Sequence, residues 1–174
     1  MKKKNPNNSR ILSIAPNKRG FGFAFMRDAE TLLDWGTRSA GKGDKNANSL
    51  SKLDELIGRF PLEILVLPNV SEKGSRRNER VQRFVSQAAV LARQRGLKVK
   101  MIGREALRLS IFGESNGTKY ARALKISNRF PEDLADSLPP ERRTGMDEDH
   151  RMPIFDAVAL ALAYLKCKRP QQSQ

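Results

Sequence analysis

The stretch RILSIAPNKRGFGFAFM, residues 10–26, decides how this 174-residue chain can fold. Residues 10–15 are mostly apolar, and residues 21–26 alternate phenylalanine with smaller residues at the two-residue period of a β-strand. Turn-forming Pro, Asn and Gly lie between them at 16–20. The pattern predicts an antiparallel hairpin, and we expect its three phenylalanines to lie in the core rather than on a base-stacking platform.

The rest of the chain extends this hairpin into a mixed sheet. Residues 31–37, TLLDWGT, predict a third strand and therefore a meander. Further segments are predicted as a helix at 50–59 capped by Ser49 or Ser51, a strand at 62–67, a helix at 76–95, a strand at 97–102, helices at 104–111 and 118–128, and a last helix at 153–166. Strands joined through helices lie parallel. We therefore predict an α/β fold whose five-stranded sheet combines a three-strand antiparallel meander with two parallel strands, with helices on both faces.

Composition limits the class of protein. The chain has 33 Lys+Arg against 19 Asp+Glu, a formal net charge of +14, which favours nucleic acid as a partner. The single cysteine, Cys167, excludes an internal disulfide, and the single histidine, His150, excludes sites that need two imidazoles. No segment resembles a signal peptide or a membrane span, so we expect a soluble cytoplasmic protein. We predict a single domain at 10–166 between a flexible basic arm at 1–9 and a flexible tail at 167–174.

Four segments, taken in order, resemble the RuvC-type Holliday-junction resolvases of the ribonuclease-H-like superfamily. They are residues 11–22, 64–70, 117–126 and 155–162. The resemblance implies a ribonuclease-H-like fold and structured or branched nucleic acid as a partner, with DNA favoured and RNA possible. It also implies a homodimer and, in an active enzyme, Mg²⁺ or Mn²⁺ held by carboxylates.

The carboxylates that this resemblance implies are incomplete. The family places Asp on the first strand, where this chain has Ala15, and Glu at the end of the fourth strand, where it has Pro68 or Asn69. Asp156 matches the acid of the last helix, but the usual companion one turn earlier would fall at Pro153. Alanine and proline have no side-chain oxygen to offer a metal. We therefore expect two-metal cleavage to be impaired or lost.

The acids near the last helix remain candidates for residual catalysis and for metal ligation. These are Asp156 with Glu148 and Asp149. Asp156 is a remnant ligand, a partner of a basic group, or a helix-start acid stabilised by the helix dipole. The segment 147–151 either folds over the site or is a solvated acidic loop. His150 is a weaker candidate for a general base, because no partner for it is evident.

Basic side chains predict the nucleic-acid interface. Residues 73–100 contain nine Lys+Arg and one acid, and Arg76, Arg77, Arg80 and Arg83 lie at the start of the predicted long helix. Arginine forks beside a helix N-terminus suit phosphate. Lys18 and Arg19 in the first turn form a second candidate phosphate site.

Three functional hypotheses follow. The first is a nucleic-acid-binding protein with impaired or lost nuclease activity. The second is a working metal-dependent endonuclease that uses Asp156, Glu148 and Asp149. The third is a protein-interaction subunit whose basic surface binds an acidic partner.

Overall fold

A computed structural model describes residues 9–71, 78–113 and 117–168. The strands are β1 (Ile11–Asn17), β2 (Gly20–Asp28), β3 (Thr31–Ser39), β4 (Ile64–Pro68) and β5 (Lys98–Ile102). The helices are α1 (Lys45–Arg59), α2 (Glu79–Gln94), α3 (Arg104–Phe112), α4 (Lys119–Arg129), α5 (Pro131–Leu134) and α6 (Met152–Lys168), and a 3₁₀ turn spans Ala135–Ser137. None of the helices described is long and apolar enough to cross a membrane.

The strands form one mixed sheet in the order β3-β2-β1-β4-β5. The meander β1–β2–β3 is antiparallel, whereas β4 pairs parallel with both β1 and β5. This confirms the predicted sheet. Its central strand, β1, is buried along nearly all of its length, as expected for a strand covered on both faces.

Two cores lie on opposite faces of the sheet. On one face, Ile11 and Ala15 pack with α6, α4 and α5, and on the other, Leu12 and Ile14 pack with α1 and α2. All three phenylalanines of β2 are buried in the second core, which confirms the prediction for them. Phe21 of β2 and Phe84 of α2 stack with their ring centroids 5.8 Å apart, so this aromatic pair joins the sheet to α2.

Several helix boundaries differ from the prediction. α1 begins at Lys45 rather than at residue 50, because the side chain of Asp44 caps it by accepting hydrogen bonds from the backbone N–H groups of Asn46 and Ala47. The predicted caps Ser49 and Ser51 therefore lie inside the helix. The first turn of α1 is polar, so apolar periodicity could not reveal it.

The other differences from the prediction concern α2, α5 and α6. α2 begins at Glu79, not at residue 76, and Asn78 caps it by accepting from the backbone N–H of Val81. α6 continues to Lys168, and α5 lies between the predicted helices at 118–128 and 153–166, where no element is predicted. Proline at the first position of α5 favours that short helix.

Candidate functional site

One row of residues crosses the sheet near the carboxyl end of β1. Strand pairing places Ala15 opposite Gly22, Gly22 opposite Thr37, and Pro68 opposite Ile102. Continuing the parallel register of β1 and β4 by two residues places Ala15 beside Pro68. The row contains no carboxylate, and its only side-chain oxygen belongs to Thr37. The resemblance implies acids at Ala15 and at Pro68 or Asn69. Ala15 and Pro68 are neighbours without a side-chain oxygen, and the Asn69 Oδ1 accepts a hydrogen bond of 3.1 Å from the backbone N–H of Ser71.

The row is covered by the start of α6. Ala15 is only 4% exposed and lies in the core beneath α6. Gly22 is in such close contact that a Cβ there would lie 2.2 Å from the carbonyl oxygen of Pro153. Deeper in the same face, the Ser13 Oγ donates a hydrogen bond of 2.6 Å to the carbonyl oxygen of Ala157. Backbone packing therefore occupies the space next to Ala15.

Asp156 is neutralised by two cations from α4. Its Oδ1 accepts a hydrogen bond from the Arg122 guanidinium, and its Oδ2 lies 3.2 Å from the Lys119 Nζ. Arg122 and Asp156 are 13% and 19% exposed. The helix-start alternative for Asp156 is wrong, because α6 begins at Met152 and has no acid in its first turn. The structure instead matches the alternative in which Asp156 contacts a basic group.

The same ammonium also holds Glu148. The Lys119 Nζ lies 3.0 and 3.1 Å from the two carboxylate oxygens of Glu148. Burial lowers the pKa of Lys119, but attraction to Asp156 and to Glu148, together with hydrogen bonds to both, outweighs burial, so its pKa is raised. We call Lys119, Arg122, Glu148 and Asp156 the Lys119 cluster. Glu148 therefore lies close to Asp156 of α6, and the Lys119 ammonium joins the two carboxylates.

Asp149 forms an ion pair with Arg151, outside the Lys119 cluster. The Arg151 guanidinium donates two hydrogen bonds of 2.9 Å to its two oxygens, and these lower the pKa of Asp149 to about 2. The exposed His150 places its Nδ1 3.5 Å from the Asp149 carboxylate. The three predicted acids therefore do not converge on one point.

The residues at this position do not fit a two-metal centre. Such a centre needs several carboxylates that face two adjacent ions. Among the residues that the structure describes, no group of three or more His, Cys, Asp or Glu side chains could hold a metal ion. Ala15 and Pro68 supply no oxygen, and Asp156 already binds two side-chain cations.

A basic surface lies beyond the row, at the β1–β2 turn. Lys18 and Arg19 are exposed there, and the Asn17 Oδ1 accepts hydrogen bonds from the backbone N–H groups of Arg19 and Gly20. The Arg80 guanidinium donates to the carbonyl oxygens of Asn17 at 3.0 Å and Lys18 at 3.2 Å. Arg80 is thus a half-buried support for the turn, and its contact with phosphate stays a prediction.

The starts of α1 and α2 meet at this turn. The Arg80 guanidinium also donates to the Asn46 Oδ1 at 3.2 Å, and the Asn46 Nδ2 donates to the Arg80 carbonyl oxygen at 3.1 Å. The loop before α1 is joined to the turn as well, because the backbone N–H of Ala40 donates to the carbonyl oxygen of Arg19 at 2.7 Å. These contacts bring together exposed cations from three segments of the chain. We call them the basic turn surface: Lys18, Arg19, Lys42, Lys45 and Arg83.

Two of these cations, Lys42 and Lys45, were missed by the sequence analysis, although their Gly-, Lys- and Asn-rich loop was a usable signal. Arg83 is exposed and lies 3.9 Å from Glu79. Arg76 and Arg77, the other predicted phosphate contacts, lie outside the described residues.

No protein-family model and no curated protein matches this sequence. The chain is similar to solved structures of RuvC from Thermus thermophilus. One has a TM-score of 0.63 and 17% identity over 88% of this chain and 91% of that chain. Another, RuvC in complex with a Holliday junction substrate, has a TM-score of 0.65 and 16% identity over 92% and 96%. The yeast mitochondrial Holliday junction resolvase Ydc2 has a TM-score of 0.54 and 9% identity over 91% and 78%. The fold is therefore ribonuclease-H-like and of the RuvC type, as predicted.

Proposed function

We propose that this chain binds the phosphates of structured or branched nucleic acid, DNA in preference to RNA, and that metal-dependent cleavage is impaired or lost. The basic turn surface is the observation that carries the proposal. It gathers five exposed cations from the hairpin turn, the loop before α1, the start of α1 and the second turn of α2. RuvC in complex with a Holliday junction substrate is among the solved structures with this fold, which supports a branched DNA as the first ligand to test.

The construction of this surface suits phosphate. The starts of α1 and α2 both carry the partial positive charge of a helix N-terminus, and they are joined by Asn46 and Arg80. Of the two acids at these helix starts, Asp44 already accepts the backbone N–H groups at the start of α1, and Glu79 lies 3.9 Å from Arg83. In the part of the chain that the structure describes, no ion pair is found for Lys18, Arg19, Lys42 or Lys45. Their charge is available to a ligand.

The loss of cleavage is supported by the row beneath α6. Ala15 and Pro68 offer no side-chain oxygen, the alternative position Asn69 has an amide oxygen that accepts from the backbone N–H of Ser71, and Asp156 is bound by Arg122 and Lys119. A metal that activates water needs open coordination positions and hard oxygen ligands. The carboxylate oxygens of this site, on Glu148 and Asp156, are already bound by Lys119 and Arg122.

A salt titration of binding to a synthetic four-way DNA junction tests the proposal. We expect the affinity to fall steeply with salt, and the Lys18→Ala/Arg19→Ala variant to reduce the slope of log K against log salt by about 2, because each lost phosphate contact removes about 1. The control is Lys98→Ala/Lys100→Ala, which removes the same charge from exposed lysines of β5. Lys98 lies at the opposite end of the sheet from the turn, because it pairs with Ile64 and thus aligns with Ile11.

The outcomes separate the alternatives. Equal slopes for both variants would contradict the proposed surface, and affinity that ignores salt would contradict phosphate binding altogether. Junction cutting that needs Mg²⁺ or Mn²⁺ and disappears in Asp156→Asn would establish the endonuclease alternative. Capture of an acidic protein that survives nuclease treatment, with no junction binding, would favour the interaction subunit. The roles of Arg76 and Arg77 and the homodimer stay predictions.

A further inference from the structure

The ammonium of Lys119 lies where three carboxylate oxygens converge. Both oxygens of Glu148 and one of Asp156 lie within 3.2 Å of its Nζ. The two acids come from different segments, the loop before α6 and α6 itself, and the lysine comes from α4. The three oxygens thus form a cation-binding site, and the cation that they bind is the ammonium group of Lys119.

We propose that Lys119 is a built-in cation: it neutralises Glu148 and Asp156 permanently, so that this domain needs no divalent metal to hold its last helix in place or to bind nucleic acid. The second half of this statement rests on the function proposed above. The first half concerns the fold alone and is tested without any nucleic acid.

The second cation of the cluster supports this inference. Arg122 binds the remaining oxygen of Asp156, which makes the Lys119 cluster formally neutral. A divalent ion added to this cluster would meet the charges of Lys119, which is 52% exposed, and of Arg122, which is 13% exposed, and like charges a few ångströms apart repel. Among the described residues the buried Arg122 Nε has no hydrogen-bond partner, and the guanidinium donates instead through its Nη2 to Asp156.

The geometry also suits an ammonium better than magnesium. Mg²⁺ demands near-octahedral oxygen ligands at about 2.0–2.1 Å. The cluster supplies two acids, and the neighbouring positions Ala15, Pro68 and Pro153 supply no side-chain oxygen. An ammonium needs only three acceptors at ordinary hydrogen-bond distance, and Lys119 has three.

Thermal unfolding with and without divalent cations tests the inference. For the natural chain, we expect Mn²⁺ at millimolar concentration to change Tm by less than about 1 °C relative to EDTA. The Lys119→Met variant leaves Glu148 and Asp156 with Arg122 as their only cation, so the Tm of the variant should be lower than that of the natural chain. Mn²⁺ should raise the Tm of the variant by about 2–4 °C by binding to the two acids that have lost Lys119. Adding Glu148→Gln to Lys119→Met should abolish this response.

Lys125→Met is the matched control. Lys125 lies on the same helix, but its Nζ lies 5.0 Å from the ring centroid of Phe112, and no ion pair is found for it among residues 9–71, 78–113 and 117–168. Its loss should leave Tm insensitive to Mn²⁺. A folded Lys119→Met variant that does not respond to Mn²⁺ would overturn the inference.

A direct titration of the natural chain with Mn²⁺, followed by electron paramagnetic resonance, covers the case in which Lys119→Met does not fold. We expect no binding at millimolar concentration. Binding that Asp156→Asn removes would overturn the inference and would support a metal centre instead. Failure of junction binding alone would contradict the proposed function and leave the built-in cation standing.

Discussion

The Lys119 cluster and the basic turn surface both present lysine and arginine, but the surroundings of these cations differ. In the cluster, each cation contacts a carboxylate from a distant part of the chain. On the turn surface, Lys18 and Arg19 have no such partner among the described residues, and the nearby Asp44 caps a helix. Charge of the first kind stabilises the fold, whereas charge of the second kind is available to a ligand. The following predictions test this division.

The largest effect is expected from placing an acid in the row beneath α6. Ala15→Asp puts a carboxylate into a position that is 4% exposed, and a buried charge without a partner destabilises strongly. We expect the free energy of unfolding to fall by about 3–4 kcal/mol, as measured by urea denaturation. Ala15→Ser, which adds an oxygen without charge, should cost only about 1–2 kcal/mol. An unchanged stability for Ala15→Asp would mean that the row is open to solvent or to cations.

The next effect concerns the cluster itself. Asp156→Asn removes the charge that holds Arg122, whose side chain is 13% exposed, and leaves Lys119 with Glu148 alone. Because breaking a largely buried ion pair leaves one charge uncompensated, we expect a loss of about 2 kcal/mol in urea denaturation. The control is Asp147→Asn, on an exposed acid. Equal losses for the two variants would refute a structural role for the cluster.

Arg80 provides a test of the turn surface. Arg80→Met should weaken junction binding by about tenfold, which corresponds to about 1.4 kcal/mol, at every salt concentration, because the turn loses its support. The slope against salt should stay the same, since Arg80 donates to carbonyl oxygens and not to the ligand. Arg83→Ala should instead flatten the slope by about 1. A flattened slope for Arg80→Met would make Arg80 a direct phosphate ligand.

The smallest effect is the pH dependence of Asp149. Its pKa is lowered to about 2 by the hydrogen bonds from Arg151, from an ordinary value of 3.8. A lowered pKa in the folded state contributes stability that is present above the ordinary value and is lost as the pH falls from about 4 to about 2. Asp149→Asn should remove this contribution, on the order of 1 kcal/mol, from the stability profile at pH values above about 4. The profiles of the two proteins should then converge near pH 2.

The sheet was predictable because its signals are local. The alternating phenylalanines and the turn at 16–20 specify the hairpin, and the apolar run at 64–67 specifies a strand that is buried on both faces. The absent acids at Ala15 and Pro68 were also readable, once the strand order was known. The start of α1 was not, because its first turn is polar and its cap, Asp44, resembles any other loop acid.

The contacts of the site were less predictable because they join distant residues. Lys119 and Glu148 are 29 positions apart, and Arg80 is 63 positions from Asn17. Lys119 and Arg122 have the spacing of ordinary polar residues on a helix, and Arg80 was taken for a phosphate ligand because it stands in an arginine-rich segment. Only the packing of α4 against α6, and of α2 against the turn, shows which partners these cations have.

The contacts of Arg80 also bear on the rate at which a ligand binds. The Asn17 side chain accepts hydrogen bonds from two backbone N–H groups of the β1–β2 turn, and Arg80 of α2 donates to two of its carbonyl oxygens. The backbone of the turn therefore has its conformation before any ligand binds. An encounter then needs no slow loop rearrangement, and the association rate should be set by diffusion and by attraction between opposite charges. Stopped-flow association would therefore show a single concentration-dependent phase.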